Sequence, residues 1–344
     1  MIKVKKEGII ANKTDWSFEY NGVLNPATIK KDNEIHLFYR AVDKINHSSI
    51  GYCKMRNPLK IDRRSDIPLL FPQFNYESQG MEDPRITKID DLYYLTYTAY
   101  NGANALGALA VSKDLIIFEK LGIIVPLITY DEFRYLTTNK KSVSKRYHSH
   151  NHPRNSKKLA QNVFLWDKNV MFFPRRINGK LHFLHRIKPD IQIVAVNAIE
   201  DLSEKFWKDY FLHFDEHILL SPKYEHELSY VGGGCPPIET AFGWLLIYHG
   251  VCDAQEGSVY SACAALFDLE NPQNEIARLP YPLFKPEYEW ELNGKVNNVC
   301  FPTGTLVIED VLYIYYGAAD ERIACASVNL PTLLDELLNY TNEK

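Results

Sequence analysis

Glu82-Asp83-Pro84-Arg85 sets two carboxylates, a proline and a guanidinium in consecutive positions, inside the stretch Gly80-Met81-Glu82-Asp83-Pro84-Arg85-Ile86-Thr87. Proline cannot donate to a sheet and holds the residue before it extended. An aromatic, β-branched run follows at residues 91–98 and reads as a buried strand. Asp83 is therefore expected, in extended backbone, at the mouth of a strand, with Arg85 one side-chain repeat away on the same face. A carboxylate fixed beside a cation can move a proton or hold a hydroxylated ligand. The other reading of these residues is an Asp–Arg pair on a surface turn.

The element that positions Asp83 recurs. Five segments share a proline, a polar turn and an aromatic-aliphatic strand: residues 25–40, 83–98, 173–186, 236–249 and 301–317. The pairs Asp32-Asn33, Asp90-Asp91, Asn178-Gly179, Phe242-Gly243 and Glu309-Asp310 mark the turns of hairpins. A third strand of small and branched residues follows each, at 48–53, 105–111, 191–196, 261–266 and 323–328. Five repeats of three to four antiparallel strands predict an all-β fold: a five-bladed β-propeller, a single domain over 1–344. A β-sandwich or a pair of β-domains is the alternative. Residues 127–160, polar and basic, are expected to form a long inter-blade loop. A helix is expected near Glu204, and a helical C-terminal tail over 331–344.

A propeller gathers equivalent positions of its repeats around one channel. Asn25, Asp83, Phe173, Cys235 and Phe301 precede the five prolines, and Arg40, Thr98, Arg186, His249 and Asp320 stand at the far strand ends. Polar groups on apolar strands cost free energy unless they are partnered. An acid, two guanidiniums and an imidazole converging there suit an anion together with a hydroxylated ligand. The Tyr100-Asn101 pair adds a candidate sugar contact. His148, His150 and His152 look like a metal site by composition, but their place in a polar loop favours a solvated or sugar-facing role.

Composition narrows the class. Aromatic residues make up 13% of the chain, 22 of them Tyr, which favours strands and sugar-stacking surfaces. A net charge of −4 gives no nucleic-acid or anionic-membrane footprint. No apolar run approaches a membrane span, and the N-terminus lacks the apolar core of a signal peptide. The six cysteines show no metal-finger spacing and read as buried free thiols. A cytoplasmic location is expected.

The chain resembles glycoside hydrolase family 130, the β-mannoside phosphorylases, which are five-bladed β-propellers. The resemblance rests on Gly80-Met-Glu-Asp-Pro-Arg-Ile-Thr87 with Thr96-Tyr-Thr-Ala-Tyr100, and on Phe173-Pro-Arg-Arg-Ile-Asn-Gly-Lys180 with His185-Arg186. It continues through Gly234-Cys-Pro-Pro-Ile-Glu-Thr240, Gly243-Trp-Leu-Leu-Ile-Tyr-His-Gly-Val251, Phe301-Pro-Thr-Gly304 and Tyr315-Tyr-Gly-Ala-Ala-Asp320. It implies inverting phosphorolysis of a terminal β-linked mannose, with inorganic phosphate as co-substrate, no cofactor and no metal, giving α-mannose 1-phosphate. Asp83 matches the family's proton donor, which acts through a sugar hydroxyl. Asn25, Arg40 and Asp320 match positions that hold the mannose; Arg85 and Asn101 join the expected sugar-binding set. The best matches to the basic phosphate site are Lys168, Arg175 or Arg176, Arg186 and His249. The rivals are a β-mannosidase of the same family, with Glu225, Glu227 or Glu239 activating water, and a non-catalytic glycan-binding propeller. Linkage, acceptor sugar and homo-oligomerisation are left open.

Overall fold

Residues 2–138, 141–152, 163–254 and 257–341 are described by the computed structural model. The expected hairpins form. Their turn residues Asp32, Asp90, Asn178 and Glu309 take φ values of 54°, 52°, 50° and 52°. That is the left-handed backbone of a tight hairpin turn, which Asn and Asp adopt more readily than other side chains.

In chain order, β1 (Lys5–Ala11) precedes a first antiparallel unit of β2 (Gly22–Lys31), β3 (Glu34–Val42), β4 (Ser48–Asn57) and β5 (Lys60–Arg64). The second unit is β6 (Gly80–Ile89), β7 (Leu92–Tyr100), β8 (Ala105–Ser112) and β9 (Glu119–Ile123). One parallel bridge, Ser48 to Gly80, links it to the first. The third is β10 (Lys168–Phe172), β11 (Leu181–Arg186), β12 (Ile191–Val196) and β13 (Ile218–Leu220). The fourth is β14 (Tyr230–Gly233), β15 (Ile238–Thr240), β16 (Gly243–Ala254), β17 (Gly257–Phe267) and β18 (Glu275–Arg278), with β14 and β15 both pairing β16. In the fifth, β19 (Cys300–Ile308), β20 (Val311–Ala318) and β21 (Arg322–Asn329) are completed by β1, which pairs β21 antiparallel. The two ends of the chain thus share one sheet. The protein is mostly β.

The apolar core lies between sheets. Separate clusters of buried side chains join the first unit to the second (Phe38 with Leu95), the second to the third (Leu109 with Phe183) and the third to the fourth (Leu184 with Trp244). Two more join the fourth to the fifth (Leu245 with Ile314) and the fifth back to the first (Tyr315 with Leu37). Each sheet buries both faces, so its central strands read as near-continuous apolar runs.

A buried acid staples four of the five units. Glu19 accepts from the Tyr39 hydroxyl at 2.7 Å and pairs with Arg64 at 2.8 Å. Glu77 holds Tyr97 at 3.0 Å and Lys120 at 2.5 Å. Glu227 holds Tyr248 and, at 3.3 Å, Arg278; Glu291 holds Tyr316 and Lys6. In each case the acid sits in a short helical turn before the inner strand, the tyrosine on the second strand and the cation on the outermost one. All four glutamates are fully buried. In the third unit, His185 takes the tyrosine's place, between Asp167 (2.7 Å) and the Tyr210 hydroxyl (2.8 Å). The next residue in each unit is Arg40, Thr98, Arg186, His249 or Gly317, so the staple fixes the strand segment that carries the expected polar ring.

The long loop expected over 127–160 is a correction. Residues 130–150 contain α1 (Tyr130–Thr137), opened by a Thr129–Glu132 capping box, and α2 (Lys141–His150). Part of the expected loop, 139–140 and 153–160, lies outside the described residues. The sequence hides α2 because it is too polar for a clear apolar stripe. Tyr147 anchors it, fully buried against Phe133 and Phe214, with its hydroxyl on Asp190. The expected helix near Glu204 is α3 (Glu204–Leu212), and a short α4 (Glu289–Leu292) carries Glu291. The C-terminal helix is α5 (Leu330–Leu338), with Pro331 in its first turn and Leu333, Leu334 and Leu337 buried. Cys53, Cys235, Cys263, Cys300 and Cys325 are buried free thiols and Cys252 is half-buried.

The staples predict a ranked stability series. Tyr97→Phe removes one hydrogen bond and should cost about 1–2 kcal/mol. Glu77→Ala takes the carboxylate from Lys120, leaving its charge to the Phe71 carbonyl, and removes a partner of the Tyr97 hydroxyl; it should cost about 3–5 kcal/mol. Urea unfolding followed by circular dichroism checks the order; equal effects would count against the staple.

Candidate functional site

Three inner strands carry the same irregularity. The register slips between Leu24 and Ala27 in β2, between Glu82 and Arg85 in β6, and between Lys168 and Met171 in β10. At each slip one residue is left-handed: Asn25 (φ 49°), Asp83 (φ 51°) and Asn169 (φ 59°). A bulge of this kind bends the strand and re-aims a side chain. Extended backbone was the expectation for Asp83, and the bulge overturns it. Asn and Asp tolerate the left-handed region better than other L-residues, which fits the residue types at all three sites.

Asn25, Asp83 and Asn169 meet in a pocket of about 260 Å³ that Arg40, Lys168, Arg186, Lys188 and Asp320 also line. Asn25 Nδ2 donates to Asp83 Oδ1 at 2.7 Å. A side-chain methyl at Gly317 would stand 2.0 Å from Asn25 Oδ1, so the glycine makes room for this amide. Arg40 spans both acids, donating to Glu82 at 2.7 Å and lying 3.5 Å from Asp83. Burial pushes the Asp83 carboxyl up, but Arg40, Lys168, Arg85 and the Asn25 amide outweigh it and hold it below its ordinary value. Asp320 goes the other way: burial and the nearby Asp83 push it up to about 6, against the pull of Arg40. Lys168 is lowered by burial and by Arg186 and Arg40, against the opposing pull of Glu82 and Asp83.

Cations crowd one side of the pocket. Lys168 and Arg186 are directly paired in register across β10 and β11. The Arg186 guanidinium lies 5.2 Å from the centre of the Tyr230 ring and Lys188 lies 3.5 Å from it. Arg186 Nε, Asn25 Oδ1 and both side-chain atoms of Asn169 are buried without a hydrogen-bond partner among the described residues. Such atoms normally find partners, and a ligand with anionic and hydroxyl groups would supply them. Trp166, Tyr260 and Phe301 add aromatic faces.

Of the expected site residues, Asn25, Arg40, Asp83, Lys168, Arg186 and Asp320 line this pocket. Five others do not. Arg175 and Arg176 follow β10 at its other end, paired with Glu239 and Glu270 and with Asp90. They entered as matches to the family's basic phosphate site; by position, the third unit's counterpart of Asp83 is Asn169, which has no proline after it, and not Phe173 before Pro174. Arg85 is buried and donates to the backbone carbonyls of Asp83, Gly233 and Gly234. Asn101 closes a local turn by accepting from the N–H groups of Ala103 and Asn104. His249 lies beneath the pocket wall, its ring 4.5 Å from Phe301 and in the space a larger residue at Gly232 would fill. Burial, reinforced by Arg186, drives its pKa well below the ordinary value, so it is neutral.

The sequence reading missed Lys188, Trp166, Tyr230 and Tyr260 as lining residues, placed Phe301 in the ring before its proline, and gave Asn169, Lys168's neighbour, no role of its own. The signal for Asn169 was its place beside Lys168 at the head of an apolar strand. His150, Asn151 and His152 also line the pocket, whereas His148 packs on Phe133 and faces the Thr137 hydroxyl. Neither Glu225 nor Glu239 lines it, and Glu227 is committed to its staple.

A family model described as beta-1,4-mannooligosaccharide phosphorylase, of glycoside hydrolase family 130, matches residues 10–343. The chain is 33% identical over 343 residues to a 1,2-beta-oligomannan phosphorylase of Thermoanaerobacter sp. (strain X514), covering 96% of this chain and 98% of that one. It is 31% identical over 342 residues to a beta-1,2-mannobiose phosphorylase of the same strain, covering 95% and 97%. Among solved structures, a beta-1,2-mannobiose phosphorylase from Listeria innocua, in complex with beta-1,2-mannobiose, has the same fold. Its TM-score is 0.70 at 23% identity over 92% of each chain.

Asp320 yields a signed pH test. Its folded pKa of about 6 lies above the ordinary 3.8, so the folded state disfavours its charge, and this group destabilises progressively as pH rises from 4 through 6. Asp320→Asn should therefore gain stability relative to the parent chain on going from pH 5 to pH 8, by of order 1 kcal/mol. Denaturant titrations of both chains at the two pH values read the difference; a gain at pH 5 alone would contradict the assignment.

Proposed function

The chain belongs to glycoside hydrolase family 130, the mannoside phosphorylases, and from that premise we propose that this pocket cleaves a terminal β-linked mannose with inorganic phosphate, inverting the anomeric centre to give α-mannose 1-phosphate. The observation that carries the reading is the cation cluster of Arg40, Lys168, Arg186 and Lys188 around the carboxylates of Asp83 and Asp320 and the left-handed amides Asn25 and Asn169. Hydrolysis with inversion needs a base to activate water. A phosphate nucleophile carries its own charge and needs cations instead. The names of the two Thermoanaerobacter relatives favour a β-1,2 linkage. We read the five units as the blades of a five-bladed propeller. The buried clusters between successive sheets, including fifth to first, support this, and the pairing of β1 with β21 would close the ring.

The mannose is held at Asn25, Arg40 and Asp320. Phosphate sits on Lys168 and Arg186, attacks C1 from the face opposite the leaving oxygen, and the C1–O bond to the acceptor sugar breaks. The proton that the leaving oxygen takes up comes from Asp83 by way of a sugar hydroxyl. An acid in this role must be protonated, yet Arg40, Lys168 and Arg85 hold Asp83 ionised in the free protein. Phosphate resolves the conflict. Its charge among those cations cancels part of their pull, so the Asp83 pKa rises when the co-substrate arrives and the acid is armed only in the ternary complex.

Two experiments test this. With β-1,2-mannobiose, mannose 1-phosphate should form in phosphate buffer and turnover should stop in its absence; Asp83→Asn should lose at least about 100-fold in rate with its fold intact. Equal sugar release without phosphate would make the protein a mannosidase, and unaltered turnover in Asp83→Asn would remove the acid. Calorimetric titration of phosphate between pH 5 and 6, in buffers of different ionisation enthalpy, should show proton uptake that is larger in the parent chain than in Asp83→Asn.

A further inference from the structure

The α1–α2 pair lends the pocket Tyr130, His150, Asn151 and His152. The two histidines mark its open end, for they are exposed, whereas Asn25 and Asp83 are buried. A terminal mannose that reaches Asp83 therefore sends the rest of its chain out past the end of α2. That end is firmly held. Tyr147 and Arg146 both reach the buried Asp190 carboxylate, and Asn151 Nδ2 donates to the Lys188 carbonyl at 2.7 Å. The two ring nitrogens of His150 face the carbonyls of Arg146 and Ser229 at 2.8 and 3.0 Å. His152 differs. Arg134 Nη2, on α1, lies 3.2 Å from its Nδ1. A guanidinium can only donate, so Nδ1 accepts and the ring carries its proton on Nε2. That N–H has no partner among the described residues.

We propose that His152 selects the acceptor sugar, its Nε2–H donating to an oxygen of the sugar that leaves when the glycosidic bond breaks. The inference rests on the phosphorylase reading above and adds a residue that reads the sugar released, not the mannose transferred. Arg134 is the positioning residue. It decides which ring nitrogen carries the proton, and so makes the contact a donor to a hydroxyl oxygen. Trp166, fixed by its Nε1 donation to the Ala103 carbonyl at 2.7 Å, adds an aromatic surface for the same sugar. Among the described residues His152 bonds to Arg134 alone, so its effect is separable from the mannose and phosphate contacts.

The synthetic direction tests this, because mannose 1-phosphate then fills the buried end and free mannose, as acceptor, takes the open one. His152→Ala should raise the KM for mannose about 3- to 10-fold, the loss of one neutral hydrogen bond, and leave the KM for mannose 1-phosphate within about 2-fold. His152→Gln keeps a donor amide and should recover most of the loss. Arg134→Met frees the ring to take either tautomer; it should raise the mannose KM by less than His152→Ala does and leave kcat within about 2-fold. A rise in the mannose KM below about 3-fold in His152→Ala, or an equal rise in both constants, overturns the contact. If the parent chain makes no disaccharide from mannose 1-phosphate and instead hydrolyses β-1,2-mannobiose without phosphate, the phosphorylase reading fails. The contact is then judged on its own: it stands if His152→Ala raises the KM for that hydrolysis and His152→Gln does not, and falls otherwise.

Discussion

One slipped residue in an inner strand is the constraint on which the site depends. Regular β-structure alternates its side chains and would send every second residue of β2, β6 and β10 into an apolar interface. The bulge adds one unpaired residue and turns Asn25, Asp83 and Asn169 towards a shared space. Left-handed backbone is the condition for that turn, and few L-residues accept it. The strain must be borne by a stiff surround, and the Glu–Tyr–cation staples provide one. In the first two units the staple ties the second strand, next to the bulged strand, to an outer strand and to the preceding turn, and in the third His185 is held between Asp167 and Tyr210. Arg40, the residue after the first staple tyrosine, is thereby aimed as firmly as the bulge residue beside it.

The site's charges are matched less completely than the staples'. Glu19, Glu77, Glu227 and Glu291 each have a tyrosine hydroxyl and a cation at hand. In the pocket, Arg186 keeps an unpartnered nitrogen, Asn169 keeps two unpartnered atoms, and Lys168 is lowered by burial and by its neighbours' positive charge. A fold that can satisfy four buried glutamates has left these groups unsatisfied in one place. Binding energy is what such an arrangement holds in reserve, because the missing partners arrive with the substrate. In the mechanism proposed above, the same incompleteness lets Asp83 be ionised at rest and take up a proton once phosphate is bound.

Much of this was legible in the sequence, and the part that was not has a physical reason. The hairpins were visible because their turns use Asp, Asn and Gly at left-handed positions and their strands are rich in aromatic and branched residues. Asp83 and Asn25 were visible because a proline follows each. Asn169 makes the same turn without a proline, so the proline rule placed the third unit's counterpart at Phe173, while Arg175 and Arg176, taken as matches to the family's basic phosphate site, lie at the other end of β10. The α1–α2 pair was hidden because its stability comes from tertiary packing of Tyr147 and Phe133, and a ten-residue helix of mostly polar residues carries little pattern of its own. Bulges are set by pairing partners far along the chain, and a local window does not contain them.

Arg85 shows why neighbouring residues in a motif need not share a task. Its place two residues after Asp83 suggested a second sugar contact. The bulge between Glu82 and Arg85 breaks the alternation on which that inference rested. The guanidinium instead crosses to the fourth unit and donates to the carbonyls of Gly233 and Gly234, while its third bond returns to the Asp83 carbonyl. Burial lowers its pKa to about 10, which still leaves it charged at neutral pH. It therefore acts as a strut from the acid's own peptide group to the fourth unit. A lysine keeps the charge but its single ammonium does not offer the separate, fixed donors of the guanidinium's fork, so the position calls for arginine rather than lysine.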